Sequence, residues 1–366
     1  MINGFRSGLA LSAAALLLAS GAQAAEEKVL NVYNWSDYIA EDTIPQFEEE
    51  FGVEVNYDVY DSNEVLEGKL MAGSAGYDIV VPSDTFFARQ IEAGIYQKLD
   101  KSKLTNWDNL DDNILQQLQK LDPGNQYGVP YMWGTTGIGY NVDMVKERLG
   151  GEVPSSWDLV FDPDVVSKLA DCGVTMLDAP QEMFPAARNY LGLDPNSNST
   201  EDLEKAEALL AEIRPHIKYY HSSQYVNDLA NGDICLAVGW SGDVYIAADR
   251  AAAAEQGVEV NYIIPKEGAL LWQDIMAIPK GAPHPENAHK WLNFNLRAGV
   301  AAQNVNYVWY ASANEAALEQ VDPEIKNNPS IYPPKEVMER LYPALVNPPK
   351  FDRLQTRAWT AVKTGQ

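Results

Sequence analysis

Tryptophans and aspartates stand close together at three places where the sequence predicts the end of a strand or a returning extended segment. These places are Trp35-Ser36-Asp37-Tyr38, Trp240-Ser241-Gly242-Asp243 and Trp272-Gln273-Asp274. Carboxylates accept charge-assisted hydrogen bonds from protonated amines, and an indole face covers methylene groups and attracts a cation. The pattern therefore predicts a binding site for a small organic polycation.

The same pairing has an ordinary structural interpretation, in which the tryptophans belong to the core and the aspartates cap turns. Trp107-Asp108 and Trp157-Asp158 repeat it in segments predicted to be surface loops, so the pairing alone leaves both interpretations open. Two acids such as Asp243 and Asp274 could also flank a sugar, as in glycosidases. A carbohydrate-active hydrolase is therefore the alternative function.

The residue types of other catalytic and metal sites do not form known patterns in this sequence. The spacing of the four histidines matches no metal-ligand motif; they are His216, His221, His284 and His289. We find no glycine-rich phosphate loop and no Gly-x-Ser-x-Gly nucleophile elbow. The sequence therefore predicts no metal, no cofactor and no catalytic residue.

The charge of the chain is strongly acidic. There are 52 acidic and 27 basic residues, which gives a net charge of −25. Such a surface repels nucleic acid and anionic lipid and concentrates cations around the protein, although solubility alone would also account for it. We expect no nucleic-acid partner.

The N-terminus has the features of a secretory signal peptide. Arg6 precedes an apolar stretch at residues 9–18 and the small residues Ala22-Gln23-Ala24, so residues 1–24 are predicted to be removed by cleavage. Export to an oxidising compartment favours a disulfide between Cys172 and Cys235, with two buried free thiols as the alternative. Roughly 340 residues remain, which exceeds the size of a single core and predicts two lobes.

Short strands alternate with helices along the chain. In the first part we predict strands at 29–33, 53–59 and 77–81, and helices at 42–51 and 63–71. An extended segment at 127–137 suits a crossing to a second α/β set at 139–250, and extended segments at 258–264 and 275–278 suit a return. This alternation indicates an α/β fold with mostly parallel sheets covered by helices, and a cleft between hinged lobes.

Four stretches of the chain resemble one known family; they are residues 33–38, 61–70, 133–137 and 231–235. The mature sequence is similar to the periplasmic polyamine-binding proteins of bacterial ABC transporters, the receptors for putrescine and spermidine. The resemblance implies a type II, two-lobed solute-binding protein that closes on its ligand, docks to a membrane permease and has no catalytic activity. It also implies a monomer in the periplasm.

The resemblance carries the family's ligand-binding residues to eleven positions: Trp35, Ser36, Asp37, Tyr38, Ser83, Glu182, Trp240, Asp243, Trp272, Asp274 and Tyr310. The three tryptophans would enclose the aliphatic chain. Asp243 and Asp274 would bind an amine at one side, and Glu182 would bind either an inner secondary amine or the second end of the ligand. Without the resemblance, Glu182 would be taken as a solvated loop acid, and Ser83 and Tyr310 as ordinary turn or packing residues.

The expected lobes are residues 25–134 with 257–312, and residues 135–256 with 313–366. One position bears on the choice of ligand. Similar putrescine receptors tend to have phenylalanine where this chain has Trp272, and the larger indole is associated with spermidine-preferring relatives. The resemblance therefore favours spermidine, with putrescine next.

Overall fold

The structure is a computed structural model that describes Met1 and residues 26–73 and 76–365. The predicted signal peptide lies outside these residues, apart from Met1. Within the described part of the chain, we find no helix that combines the length and the apolar composition needed to span a bilayer.

Eleven strands form one twisted sheet in the described residues. In chain order they are β1 (Val29–Trp35), β2 (Glu54–Tyr60), β3 (Ile79–Val80), β4 (Gly128–Asn141), β5 (Val174–Met176), β6 (Ile217–Tyr220), β7 (Leu236–Trp240), β8 (Val260–Ile263), β9 (Leu270–Ala277), β10 (Ala311–Ser312) and β11 (Tyr342–Pro343). The predicted strand at 77–81 is shorter than expected, since only Ile79–Val80 is paired as a strand.

The α-helices of the same residues cover the sheet. They are α1 (Thr43–Phe51), α2 (Asn63–Met71), α3 (Asp84–Glu92), α4 (Asp112–Leu118), α5 (Val142–Leu149), α6 (Asp158–Phe161), α7 (Pro163–Val166), α8 (Pro180–Tyr190), α9 (Thr200–Ile213), α10 (Gln224–Asn231), α11 (Ser241–Ala254), α12 (Pro285–Asn295), α13 (Ala298–Val308), α14 (Pro323–Lys326), α15 (Lys335–Met338) and α16 (Pro349–Thr364). Sequence analysis did not predict α16.

The sheet has two parallel groups joined by long antiparallel strands. Strand β1 is parallel to β2 and β3, and strand β5 is parallel to β6 and β7. Between the groups, β4 runs antiparallel to β9 along residues 128–136 and to β7 along residues 136–140. The α/β prediction is confirmed, and the sheet as a whole is mixed because the connecting strands are antiparallel.

This topology gives two lobes, and β4 and β9 run from one to the other. The extended crossing predicted at 127–137 is the first part of β4, which is almost wholly buried. The return predicted at 258–264 contains β8, whereas the one predicted at 275–278 covers only the end of β9, which begins at Leu270. The residue boundaries of the lobes stay a prediction.

Two details of the core concern earlier predictions. Cys172 and Cys235 form a disulfide with their Cα atoms 5.5 Å apart, which confirms the predicted pairing. Trp157 is fully buried and its indole N–H donates to the carbonyl of Gly268 at 2.9 Å, so its placement in a surface loop was wrong.

Candidate ligand-binding site

One cavity between the lobes is lined by all eleven residues of the predicted site. It encloses about 890 Å³ of empty space, including its opening to solvent. Trp35 ends β1 and Trp240 ends β7, as expected for a ligand site beyond the carboxyl ends of parallel strands. Trp272 and Asp274 reach the same cavity from the antiparallel strand β9.

Asp243 is held by two tyrosine hydroxyls. Tyr225 donates to Asp243 Oδ2 at 2.8 Å and Tyr310 donates to Oδ1 at 2.6 Å, while the backbone N–H of Asp243 donates to the Tyr310 hydroxyl at 3.1 Å. The close fit of the Tyr310 ring requires glycine at position 242, where a Cβ atom would lie 2.4 Å from the ring. Burial raises the pKa of Asp243 to about 7, against the lowering effect of the two hydroxyls.

Asp274, on strand β9, has a similar environment. Tyr38 donates to its Oδ2 atom at 2.8 Å, and Ser83 donates to its Oδ1 atom at 2.6 Å. Ser83 is fixed in turn by Asn63, whose side-chain oxygen accepts from the Ser83 backbone N–H at 3.0 Å. Burial raises the pKa of Asp274 to about 7, and the nearby charge of Asp243 adds to that rise.

Glu182 lies in the first turn of α8 and is a third acid of the cavity, half-buried rather than fully buried. It accepts hydrogen bonds from the hydroxyl of Thr136 and from the indole N–H of Trp240, the latter at 3.0 and 3.1 Å. Burial raises its pKa to about 7 despite these donors. Glu182 therefore lies in a helix and is hydrogen-bonded inside the cavity, so its interpretation as a solvated acid in a loop was wrong. Its role as a ligand-binding residue stays a prediction.

The aromatic side chains form the walls of the cavity. The rings of Trp35 and Trp240 meet edge to face with their centroids 5.4 Å apart, and Trp272 meets Tyr310 at the same distance. The Trp35 indole N–H donates to the carbonyl of Val81 at 2.8 Å, which fixes the orientation of its ring. Ring faces held in this way can enclose a slender aliphatic chain and attract an ammonium group.

Asp37 and Ser36 lie at the rim. Asp37 forms an ion pair with Arg250, in which Arg250 Nη2 lies 2.5 Å from Asp37 Oδ1. Both side chains are half-exposed. The Ser36 hydroxyl donates to the carbonyl of Tyr60 at 3.4 Å. Since its charge is already compensated, Asp37 differs from the two aspartates that share its sequence motif.

Sequence analysis missed two functional neighbours of this site. Asp84 is buried in the cavity wall, where burial raises the pKa of its carboxyl to about 7. It lies in the first turn of α3, where an acid is common because it interacts favourably with the helix N-terminus, so its residue type alone did not mark it as part of a site. Tyr225 lies within α10 and orients Asp243, but no local sequence pattern distinguishes it from the buried tyrosines of the core.

The cavity is suited to a cation. Seven acids line it, and its described lining contains no lysine, arginine or histidine. The acids are Asp37, Asp61, Glu64, Asp84, Glu182, Asp243 and Asp274. No group of three or more acids, histidines or cysteines in the described residues has the geometry to hold a metal ion. Buried carboxylates whose donors are neutral hydroxyls and indoles can still accept from an organic cation.

Comparisons with known proteins agree with this geometry. The family model described as bacterial extracellular solute-binding protein matches residues 42–333. The putrescine-binding periplasmic protein of Escherichia coli K12 is 53% identical over 362 residues, 98% of each chain. A second putrescine-binding periplasmic protein, from Pseudomonas aeruginosa, is 52% identical over 350 residues, 95% of each chain.

A solved structure has the same fold. The spermidine/putrescine ABC transporter substrate-binding protein of Streptococcus pneumoniae superposes with a TM-score of 0.74 and is 29% identical, covering 92% of this chain and 99% of its own. Two lobes around a ligand cleft define the class of solute-binding receptors. The chain belongs to the family of bacterial extracellular solute-binding proteins. The named relatives are binding proteins, so the hydrolase alternative has no support.

Proposed function

We propose that this protein is the periplasmic receptor of an ABC transporter and captures a linear polyamine by closing its lobes around it. The named relatives bind putrescine or spermidine according to their names and are periplasmic or transporter-associated. Their similarity extends over almost the whole chain, which supports the same role here. The membrane permease is the proposed partner, and the receptor is proposed to act as a monomer without a cofactor.

One observation carries the proposal: Asp243 and Asp274 are buried, and neither has a cationic partner among the described residues. A buried carboxylate without a counter-ion is costly. An ammonium group placed between them would supply the missing charge and donate hydrogen bonds to their remaining lone pairs. Glu182 lies elsewhere in the same cavity and would accept from a second ammonium.

The choice among polyamines is a finer question. The indole at Trp272 favours spermidine, as the sequence predicted, whereas the relatives that are 52 and 53% identical are named for putrescine. The spermidine preference therefore stays a prediction. A direct comparison of affinities for both ligands decides it.

The test is calorimetric titration of the mature protein with putrescine, spermidine and spermine. We expect at least one dissociation constant at or below about 1 μM, which corresponds to roughly 8 kcal/mol. Butylamine, with one charge, and 1,4-butanediol, with none, are the matched controls and should bind at least about 100-fold more weakly. Millimolar affinity for all three polyamines would contradict the proposed function.

A further inference from the structure

Two ion pairs among the described residues join one lobe to the other. Arg250 on α11, which follows β7, pairs with Asp37, which follows β1. Arg89 on α3, which follows β3, pairs with Asp352 on α16, and α16 packs against α8 and α9, the helices that connect β5 to β6. The pair of Arg89 with Asp352 is the better shielded of the two, because each of its side chains is 19% exposed, against 36 and 40% at the rim.

Arg89 has two further contacts inside its own lobe. Its Nη2 atom lies 2.8 Å from Oε2 of Glu67 on the neighbouring helix α2. Its guanidinium carbon lies 4.2 Å from the centre of the Phe86 ring on α3, within the range of a cation–π contact. Since both partners belong to the lobe that carries Arg89, these contacts can be retained when the lobes separate.

Asp352 is likewise held within the other lobe. Its Oδ2 atom lies 3.2 Å from Arg89 Nη1, whereas its Oδ1 atom accepts from Gln181 Nε2 at 3.2 Å and from Asn347 Nδ2 at 3.0 Å. Gln181 lies in α8, and Asn347 lies just before the start of α16. The carboxylate therefore has two donors that do not depend on the position of Arg89.

An ion pair with these surroundings can break at low cost. Removing one partner of a buried ion pair is costly because it leaves an uncompensated charge. Separation of the lobes would instead leave Arg89 with Glu67 and Asp352 with two amide donors. Neither Arg89 nor Asp352 belongs to the described lining of the ligand cavity. The pair can therefore stabilise the closed arrangement of the lobes reversibly and without contacting the ligand.

On the basis of the proposed function, we propose that Arg89 and Asp352 form a releasable latch that holds the two lobes closed and slows the release of the ligand. A ligand enclosed between hinged lobes leaves only after they open, and an ion pair made only in the closed form is lost at that step. The latch therefore lowers the dissociation rate constant, and it does so by the same factor for each polyamine. The association rate constant is set by encounter with the open form and is little affected.

The test measures both rate constants for putrescine and for spermidine by stopped-flow fluorescence at several ligand concentrations. The tryptophans that line the cavity supply the signal. Arg89→Gln and Asp352→Asn should each raise the dissociation rate constant at least about threefold, the size expected for a well-placed ion pair that is partly shielded. The factor should be the same for both ligands, and the association rate constant should change by less than about twofold.

The two variants change the net charge in opposite directions, which separates the latch from long-range electrostatics. If charge alone mattered, losing the positive charge of Arg89 would tighten the binding of a polycation, and losing the negative charge of Asp352 would weaken it. With a latch, both variants release the ligand faster. The double variant should be no faster than the faster single variant, because the pair is already broken.

Glu67→Gln is the matched control, since it removes a carboxylate from the same arginine but within one lobe. It should leave the dissociation rate constant unchanged or lower it. Circular dichroism and thermal melting establish that each variant is folded, and if Arg89→Gln is not, the comparison of Asp352→Asn with Glu67→Gln decides the question. The latch is refuted if folded Arg89→Gln releases ligand no faster than the wild type, or if Glu67→Gln accelerates release as much as Asp352→Asn. Failure of the wild type to bind either ligand would instead refute the proposed function.

Discussion

The aspartates of the three tryptophan–aspartate motifs look equivalent in the sequence, but the structure gives them two different environments. Asp243 and Asp274 are buried and accept hydrogen bonds from neutral hydroxyls. Asp37 is half-exposed at the rim and paired with Arg250. The difference shows what makes an acid available to a cationic ligand: burial that raises its pKa, neutral donors that orient it, and the absence of a protein cation that would satisfy it.

The largest effect is expected from neutralising the two buried acids. Asp243→Asn and Asp274→Asn should each weaken polyamine binding by about 100-fold or more, since breaking a buried ion pair typically costs about 3 to 5 kcal/mol. Asp37→Asn is the matched control and should change the affinity much less. Calorimetric titration measures all three, and a larger loss in Asp37→Asn than in Asp243→Asn would reverse the comparison.

Acidic pH should weaken binding for the same reason. The pKa values of Asp243, Asp274 and Glu182 are each raised to about 7, whereas a bound polyamine requires their ionised forms. If the ligand requires one such acid to be ionised, its affinity should fall about tenfold between pH 7.5 and pH 6, because the acid is mostly protonated at pH 6. The fall should be larger if the ligand requires several of them to be ionised. At pH 6 binding should release protons, seen as different apparent enthalpies in two buffers with unequal ionisation enthalpies. A buffer-independent enthalpy and a flat affinity profile would contradict these pKa shifts.

Sequence patterns predicted the alternation of strands and helices well because each element has its own local signals. Helix α2 was predicted at its observed limits, and its N-cap Ser62 accepts from the backbone N–H of Val65. Strand β3 was predicted too long because an apolar run shows burial but not the extent of pairing. Helix α16 was missed where a proline-rich segment precedes it, although Phe351 and Trp359 pack on one buried face.

The site was predictable only in part from local sequence. The tryptophan–aspartate motifs identified Asp243 and Asp274, and the family resemblance added Glu182. Tyr225 could not be found, because its contact with Asp243 depends on the packing of α10 against α11. The ion pair of Asp37 with Arg250 joins residues 213 positions apart. Such a long-range contact has no local signal, so the motif could not show which aspartates were already compensated.

The buried acids should also reduce the stability of the unliganded protein. An acid whose pKa is raised on folding binds more protons in the folded than in the unfolded state between about pH 4 and pH 7. The free energy of unfolding therefore falls as pH rises through this window, by up to about 1.4 kcal/mol per pH unit for each such acid. Asp274→Asn removes one of them.

Thermal melts of unliganded Asp274→Asn and wild type at pH 4.5 and pH 7.5 test this expectation. The variant should lose less stability than the wild type between the two values, and saturating polyamine should stabilise only the wild type substantially. Asp37→Asn serves as the comparison and should follow the wild-type dependence. Equal pH dependence of Asp274→Asn and wild type would show that Asp274 is not the source of the lost stability.

The smallest effect is expected at the rim, where Arg250 and Asp37 link α11 to the segment after β1. A half-exposed ion pair contributes about 0.2 to 1 kcal/mol, so Arg250→Gln should weaken polyamine binding by less than about fivefold. Because exposed pairs are screened by salt, the difference between Arg250→Gln and wild type should shrink from 20 mM to 500 mM salt, whereas the loss in Asp243→Asn should persist. A salt-independent loss in Arg250→Gln as large as that in Asp243→Asn would show that the rim ion pair matters to binding as much as the buried acids do and would remove the distinction between rim and cavity.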